Sequence, residues 1–115
     1  MRFLDSLFIL DWGESTYAPL GFDLSGFIAG CLETSDRRHW EPDLLTLYRN
    51  TLGEHHASIN QDGLFNSFRL SLLPSLYLPG LILNHGDPDE GRVLLDRGLA
   101  AIDDHSSYLS KSLSL

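Results

Sequence analysis

Two carboxylates are the residues best placed to do chemistry. Asp11 follows the apolar run Leu7-Phe8-Ile9-Leu10 and precedes Trp12-Gly13, and Asp23 follows Gly21-Phe22 at the head of a second apolar stretch. An aspartate at the exit of a buried strand is held rigidly at a sheet edge. There its oxygens can serve a hard cation such as magnesium and, through it, nucleotide phosphates. Asp-x-Gly after a strand is also ordinary turn chemistry, so the residue types alone leave both readings open. His55-His56 follows Gly53 and lies near Glu54 and Asp62, but adjacent imidazoles point in different directions and no third ligand stands at a recognised spacing. A solvent-exposed helix terminus is the better reading of that pair. Cys31 falls on the expected apolar face of a helix and there is no Gly-x-Ser-x-Gly elbow, so hydrolase chemistry lacks support.

The elements that must position these groups follow from spacing. Leu7 to Leu10 reads as a short buried strand, paired with residues 2–4 in a possible hairpin and closed by the Asp11-Trp12-Gly13 turn. A loop containing Ser15, Thr16, Pro19 and Gly21 comes next. Asp23 is then expected to cap a helix whose buried face is Leu24, Phe27, Ile28, Cys31 and Leu32. Thr34 to His39 is polar and expected to be a loop. Pro42 fits the first turn of a second helix carrying Leu44, Leu45, Leu47, Tyr48 and Leu52, stopped by Gly53. Leu64, Phe65, Phe68, Leu72 and Leu76 keep the helical period from about Asp62, with Pro74 and Pro79 expected to divide the stretch into two packed segments. Asp87-Pro88-Asp89-Glu90 spells a capped start for a last strong helix, with Glu90 able to reach back in a capping box and Val93, Leu94, Leu95, Leu99, Ala101 and Ile102 as its apolar stripe. Past His105 the alternation of serine and leucine fits a frayed helix end or a weak strand equally well.

The run from Phe8 to Ile28, FILDWGESTYAPLGFDLSGFI, joins an apolar strand, an acidic turn and an aspartate-led helix without a gap. In that order it resembles the aminoglycoside phosphotransferase and choline kinase-like family, which has the protein-kinase-like fold. The resemblance is carried by residues 7–32. It implies that Asp11 ligates the catalytic Mg2+, that Asp23 hydrogen-bonds the catalytic loop and supports it, and that the complete enzyme uses ATP to phosphorylate a small-molecule hydroxyl. It also implies a mainly α fold: a short N-terminal β strand or hairpin and metal-aspartate turn in 1–13, then a helical bundle in 22–110 like the C-terminal subdomain of such enzymes. The family places its nucleotide lobe and a loop of the form His-Gly-Asp-x-x-x-x-Asn ahead of this motif, and here only residues 1–10 precede Asp11. Phosphoryl transfer needs ATP, metal and acceptor positioned together. The expectation is therefore a C-terminal portion, with no catalytic residue of its own, inactive alone and binding neither Mg2+ nor ATP tightly. His85-Gly86-Asp87 spells the start of that loop, but it lies after the Asp11 motif and has Arg92 where the asparagine should be.

Composition bounds the rest. A chain of 115 residues, 43% hydrophobic, fits one domain, 1–115, with one core. Sixteen acidic residues against 8 basic give a net charge of -8, which repels nucleic acid and anionic membrane. No stretch approaches the roughly 18 uninterrupted apolar residues of a membrane span, and the single Cys31 suits a reducing compartment, so the expected setting is cytoplasmic. If a covering lobe is missing, an apolar surface around Leu7 to Leu10, Trp12 and Phe22 should favour self-association or a complementing chain. The other reading of the same charge and size is a small acidic helical binding protein, of the immunity-protein or secretion-chaperone kind, in which the Asp11 motif is accidental.

Overall fold

The structure is a computed structural model that describes residues 18–55 and 59–112. The expected strand, its hairpin partner, Asp11 and Trp12 all lie outside the described residues. Within them, all regular structure is helical: α1 (Phe22–Gly26) running into a π turn (Phe27–Cys31), α2 (Thr34–Glu54), α3 (Gln61–Ser71), a 3-10 turn (Pro74–Leu76), α4 (Tyr77–His85), α5 (Pro88–Asp104) and α6 (Ser106–Ser112). The mainly α expectation holds.

Several finer expectations do not. Asp23 is not the cap of α1; Gly21 is, and Asp23 sits inside the first turn. Gly21 holds this place because the backbone of α3 comes against it. A Cβ there would stand 2.6 Å from Phe68 Cα and from the Ser67 carbonyl carbon, and the Gly21 N–H donates to Ser67 Oγ at 2.8 Å. The wider π turn shifts the register of the buried face. Ile28 and Ala29 are buried, whereas Phe27 and Cys31, expected inside, are exposed. The turn's Gly30 carbonyl accepts from Arg97 Nη1 of α5 at 3.1 Å.

Thr34 to His39 is not a loop but the opening of α2, and Pro42 lies in that helix's interior. Pro42 is exposed, and its missing N–H leaves the carbonyl of Arg38, also exposed, without its helical donor. Gly53 does not stop α2, which runs on to Glu54. The residues α2 buries are Arg37, Glu41 and Leu45, one stripe at a spacing of four. Two of those three positions are charged, so hydrophobic periodicity finds the helix only from Leu44 onward.

α3 starts under an Asn60 cap whose Oδ1 accepts from Gly63 N at 2.6 Å and buries Leu64 and Phe68 as expected. Pro74 opens the 3-10 turn that separates α3 from α4, whereas Pro79 is accommodated, buried, in the first turn of α4. α5 begins as its sequence predicts, with Asp87 Oδ1 accepting from Asp89 N at 3.0 Å and Pro88 next; Glu90 is exposed. Its buried positions are Gly91, Gly98 and Ala101, while Val93 and Leu99 face solvent. Small residues won because α4 lies close along α5: a Cβ on Gly91 would stand 2.6 Å from Leu83 Cα and 3.0 Å from the Ile82 carbonyl carbon. The tail after His105 resolves as α6.

The core is one cluster of Ile28, Ala29, Leu45, Leu64, Phe68, Leu72 and Ala101, with Leu24, Leu44, Tyr48 and Ile102 among the half-buried residues around it. Alanine is a better helix former than glycine by about 1 kcal/mol, so the effect of Gly→Ala should separate by space alone. Gly91→Ala is expected to destabilise by about 1–3 kcal/mol through overpacking. Gly80→Ala, with nothing within 4 Å, should be neutral or stabilising; urea unfolding midpoints of the two variants check this.

Candidate functional site

Two polar constellations stand out, one at the surface and one inside. At the surface, α1 sets Asp23 in an exposed first turn whose entry is pinned to α3 through Gly21. Behind it, buried Ser25 donates from Oγ to the Phe22 carbonyl at 2.8 Å and to the Ser71 carbonyl at 3.2 Å. The turn is thus fixed to α3 at two points. The Asp23 carboxylate makes no hydrogen bond or ion pair with another described residue. Beside it, Leu24, Phe27, Leu44, Leu47 and Tyr48 line an open apolar groove of about 250 Å³ between α1 and α2.

The interior constellation was not foreseen. Arg37, 1% exposed, donates from Nη1 to Glu41 Oε2 at 2.9 Å and from Nη2 to Asp104 Oδ2 of α5. Arg38 binds the same Asp104 carboxylate from outside, Nε to Oδ2 at 2.8 Å and Nη2 to Oδ1 at 3.1 Å. His105 completes the group, its Nε2 lying 2.7 Å from Glu41 Oε1 while its Nδ1 accepts a long, 3.4 Å bond from Arg69 Nε of α3. In the neutral ring, with Nδ1 accepting, Nε2–H is the donor to Glu41, and the protonated ring donates to Glu41 from the same nitrogen. Arg69 is held in turn between the rings of Phe65 and Tyr108, with Cζ 5.1 and 4.9 Å from their centroids. The ring of Phe68 meets His105 edge to face at 5.8 Å. Four helices, α2, α3, α5 and α6, therefore meet around one charge system that is buried at Arg37 and Glu41 and reaches the surface at Arg38 and Asp104.

Burial pushes the Glu41 carboxyl up, but the hydrogen bonds and charges of His105 and Arg37 outweigh it, and the net direction is down. Asp104, bonded first by Arg38 and then by Arg37, is lowered from its ordinary 3.8 to about 2. Arg37 Nε has no hydrogen-bond partner among the described residues, so burial of this guanidinium is only partly compensated. The arrangement is a structural clamp. Its carboxylates are both engaged, Asp104 by Arg37 and Arg38 and Glu41 by Arg37 and His105.

Of the residues expected to act, Asp11 lies outside the described residues, and Asp23 is exposed. His55 ends α2 at the surface, His56 lies outside the described residues, and His39 is exposed and stacks edge-on against Trp40 at 4.8 Å. His85-Gly86-Asp87 forms the turn from α4 to α5, with Asp87 engaged as a cap. Among the described residues no three of His, Cys, Asp and Glu are grouped to hold a metal ion, and no helix is long and apolar enough to cross a membrane. Phe22 is half-buried; the other residues of the apolar surface expected around it lie outside the described residues. The clamp had one sequence signal, the Arg37 and Glu41 pair four apart, which a loop assignment for 34–39 hides. No protein-family model, curated protein or solved structure matches the chain.

Two outcomes follow from the clamp. Arg37→Ala, which leaves Glu41 buried with His105 as its one remaining partner among the described residues, should cost about 3–5 kcal/mol in urea unfolding. Arg38→Ala, at an exposed pair, should leave the urea midpoint close to that of the unsubstituted chain. Both Glu41 and Asp104 have carboxyls lowered on folding, so the unfolded chain takes up more protons as acid is added. Their stabilisation is complete above about pH 4.5, the ordinary value of Glu41, and is lost as pH falls towards 2. Urea midpoints across that window should fall, and Glu41→Gln should flatten the fall.

Proposed function

We propose that this chain is the helical portion of an ATP-dependent phosphotransferase of the aminoglycoside and choline kinase-like type, acting on a hydroxyl of a small molecule and inactive without a nucleotide lobe and catalytic loop. The observation that carries the reading is Asp23. Its carboxylate is exposed and unengaged by the described residues, in a turn fixed to α3 through Gly21 and Ser25. A carboxylate held so firmly and left free suits a group that must bond to a loop outside the bundle. Asp11 supplies a hard oxygen donor of the kind magnesium takes, and the magnesium would neutralise charge on the ATP phosphates. The groove between α1 and α2 lies beside Asp23 and offers an apolar wall to an acceptor. The main-chain architecture, helices throughout the described residues, is compatible with this role.

A second reading, the acidic helical binding protein, is favoured by the net charge of -8, which would steer a basic partner. The two separate on Asp11. The chain should be co-expressed with, or joined to, the polypeptide encoded immediately upstream of Met1 and assayed for ATP-dependent phosphorylation of aminoglycosides and choline. The proposal expects activity that Asp11→Asn lowers by roughly a thousandfold, as loss of a charge-stabilising group does, with an unchanged far-ultraviolet circular dichroism spectrum. An unrelated upstream product, or activity indifferent to Asp11→Asn, defeats it and leaves the binding protein.

A further inference from the structure

We infer that His105 is a pH-sensitive latch: its neutral ring holds Arg69 and, through Arg69, docks α6 on the bundle, and its protonation expels Arg69 and releases α6. The ring is bonded at both nitrogens by groups of opposite charge from two other helices. Nε2 lies 2.7 Å from Glu41 Oε1 of α2, and Nδ1 lies 3.4 Å from Arg69 Nε of α3. The His105 side chain is 12% exposed, so water is poorly placed to replace either partner. Arg37 stands behind Glu41 and shares its carboxylate, and Asp104, which precedes the ring on α5, is taken up by Arg37 and Arg38. On α6 the titratable groups are Tyr108, whose ring lies on Arg69, and Lys111, which is exposed.

The two bonds answer protonation in opposite ways. Neutral imidazole has one donor and one acceptor nitrogen, whereas the cation donates from both. At Nε2 nothing is lost, since the donor to Glu41 becomes charge-assisted. At Nδ1 the acceptor disappears, and an N–H then faces the Nε–H of Arg69, cation against cation. Arg69 is the member that gives way, because its bond is the long one and Glu41 keeps the ring. Its departure removes the guanidinium on which Tyr108 rests, 4.9 Å from the ring centroid. α6 has 7 residues, against the roughly 12–15 below which an isolated helix is marginal in water. It therefore persists by docking, with Tyr108 on Arg69 and Leu109, 4% exposed, in the bundle. Histidine is the side chain that ordinarily changes charge between about pH 5 and 8, and Glu41 and Asp104, both lowered, remain ionised there. The inference is independent of the phosphotransferase reading.

A nuclear magnetic resonance titration of the unsubstituted chain from about pH 8 to about pH 5, following the His105 ring and the Cα shifts of α3 and α6, tests it. As the ring protonates, Leu109 to Lys111 should lose their helical shifts with the same midpoint, and α3 should keep its own. In Arg69→Met the ring still protonates but no donor opposes it, so α6 should show no transition. His105→Gln, which has no ring to titrate, should likewise hold α6 constant across the range. Helical shifts of α6 that stay unchanged while the ring protonates would overturn the inference, as would a ring that stays neutral throughout. So would loss of α3 together with α6, or a transition that survives in Arg69→Met or His105→Gln.

Discussion

Burial of the Arg37 guanidinium is the constraint around which the bundle is arranged. An arginine that leaves water must find carboxylates in hydrogen-bonding geometry or the fold pays several kcal/mol, and its two carboxylate partners come from different helices. Glu41 lies one turn further along α2, and Asp104 closes α5. The pairing fixes the rotation of α2, because only the stripe of Arg37, Glu41 and Leu45 can face inward while those bonds are made. It also fixes its position against α5, since Asp104 must reach Arg37 and Arg38 together. His105, next to Asp104, is thereby placed against Glu41, and Arg69 of α3 is drawn to His105.

That organisation explains what the rest of the molecule leaves outside. The first half of α2 docks by charge, so it needs few apolar residues, and the apolar core is confined to the junction of α1, the π turn, α2 and α3 with Ala101 of α5. α1 is then fastened by close backbone approach at Gly21 and by Ser25, not by a side-chain cap. Asp23 remains at the surface as a consequence. α4 is held to α5 by the close approach at Gly91.

Much of the helical architecture was legible in the sequence where the signal is hydrophobic spacing or capping chemistry. Leu64 and Phe68 mark α3, and Asp87-Pro88 marks the start of α5. It was illegible where the buried residue is not apolar. Arg37 and Glu41 sit at core positions and look like surface residues, so α2 was expected to start late. Gly91 and Gly98 look like helix breakers but are contact points, so they are missing from the stripe expected on α5, of which Ala101 is buried while Val93 and Leu99 are exposed. The π turn displaced Phe27 and Cys31 outward by a register change that no local residue type announces. Of the candidate site, Asp23 was legible as a residue but not as an anchored carboxylate, and of the arginine clamp only the spacing of Arg37 and Glu41 was legible, because Asp104 and His105 are distant in sequence from the α2 residues they meet.

The account stands on the claim that Arg37 and Glu41 act as one coupled unit in the interior, not as two independent side chains. A double-mutant cycle with Arg37→Met, Glu41→Leu and the pair together, measured by urea unfolding at neutral pH, tests it directly. A coupling energy of about 1–3 kcal/mol, with the double variant far more stable than the sum of the single losses predicts, is the expected result. Additive losses, coupling below about 0.5 kcal/mol, would mean that the buried pair does not hold the bundle together.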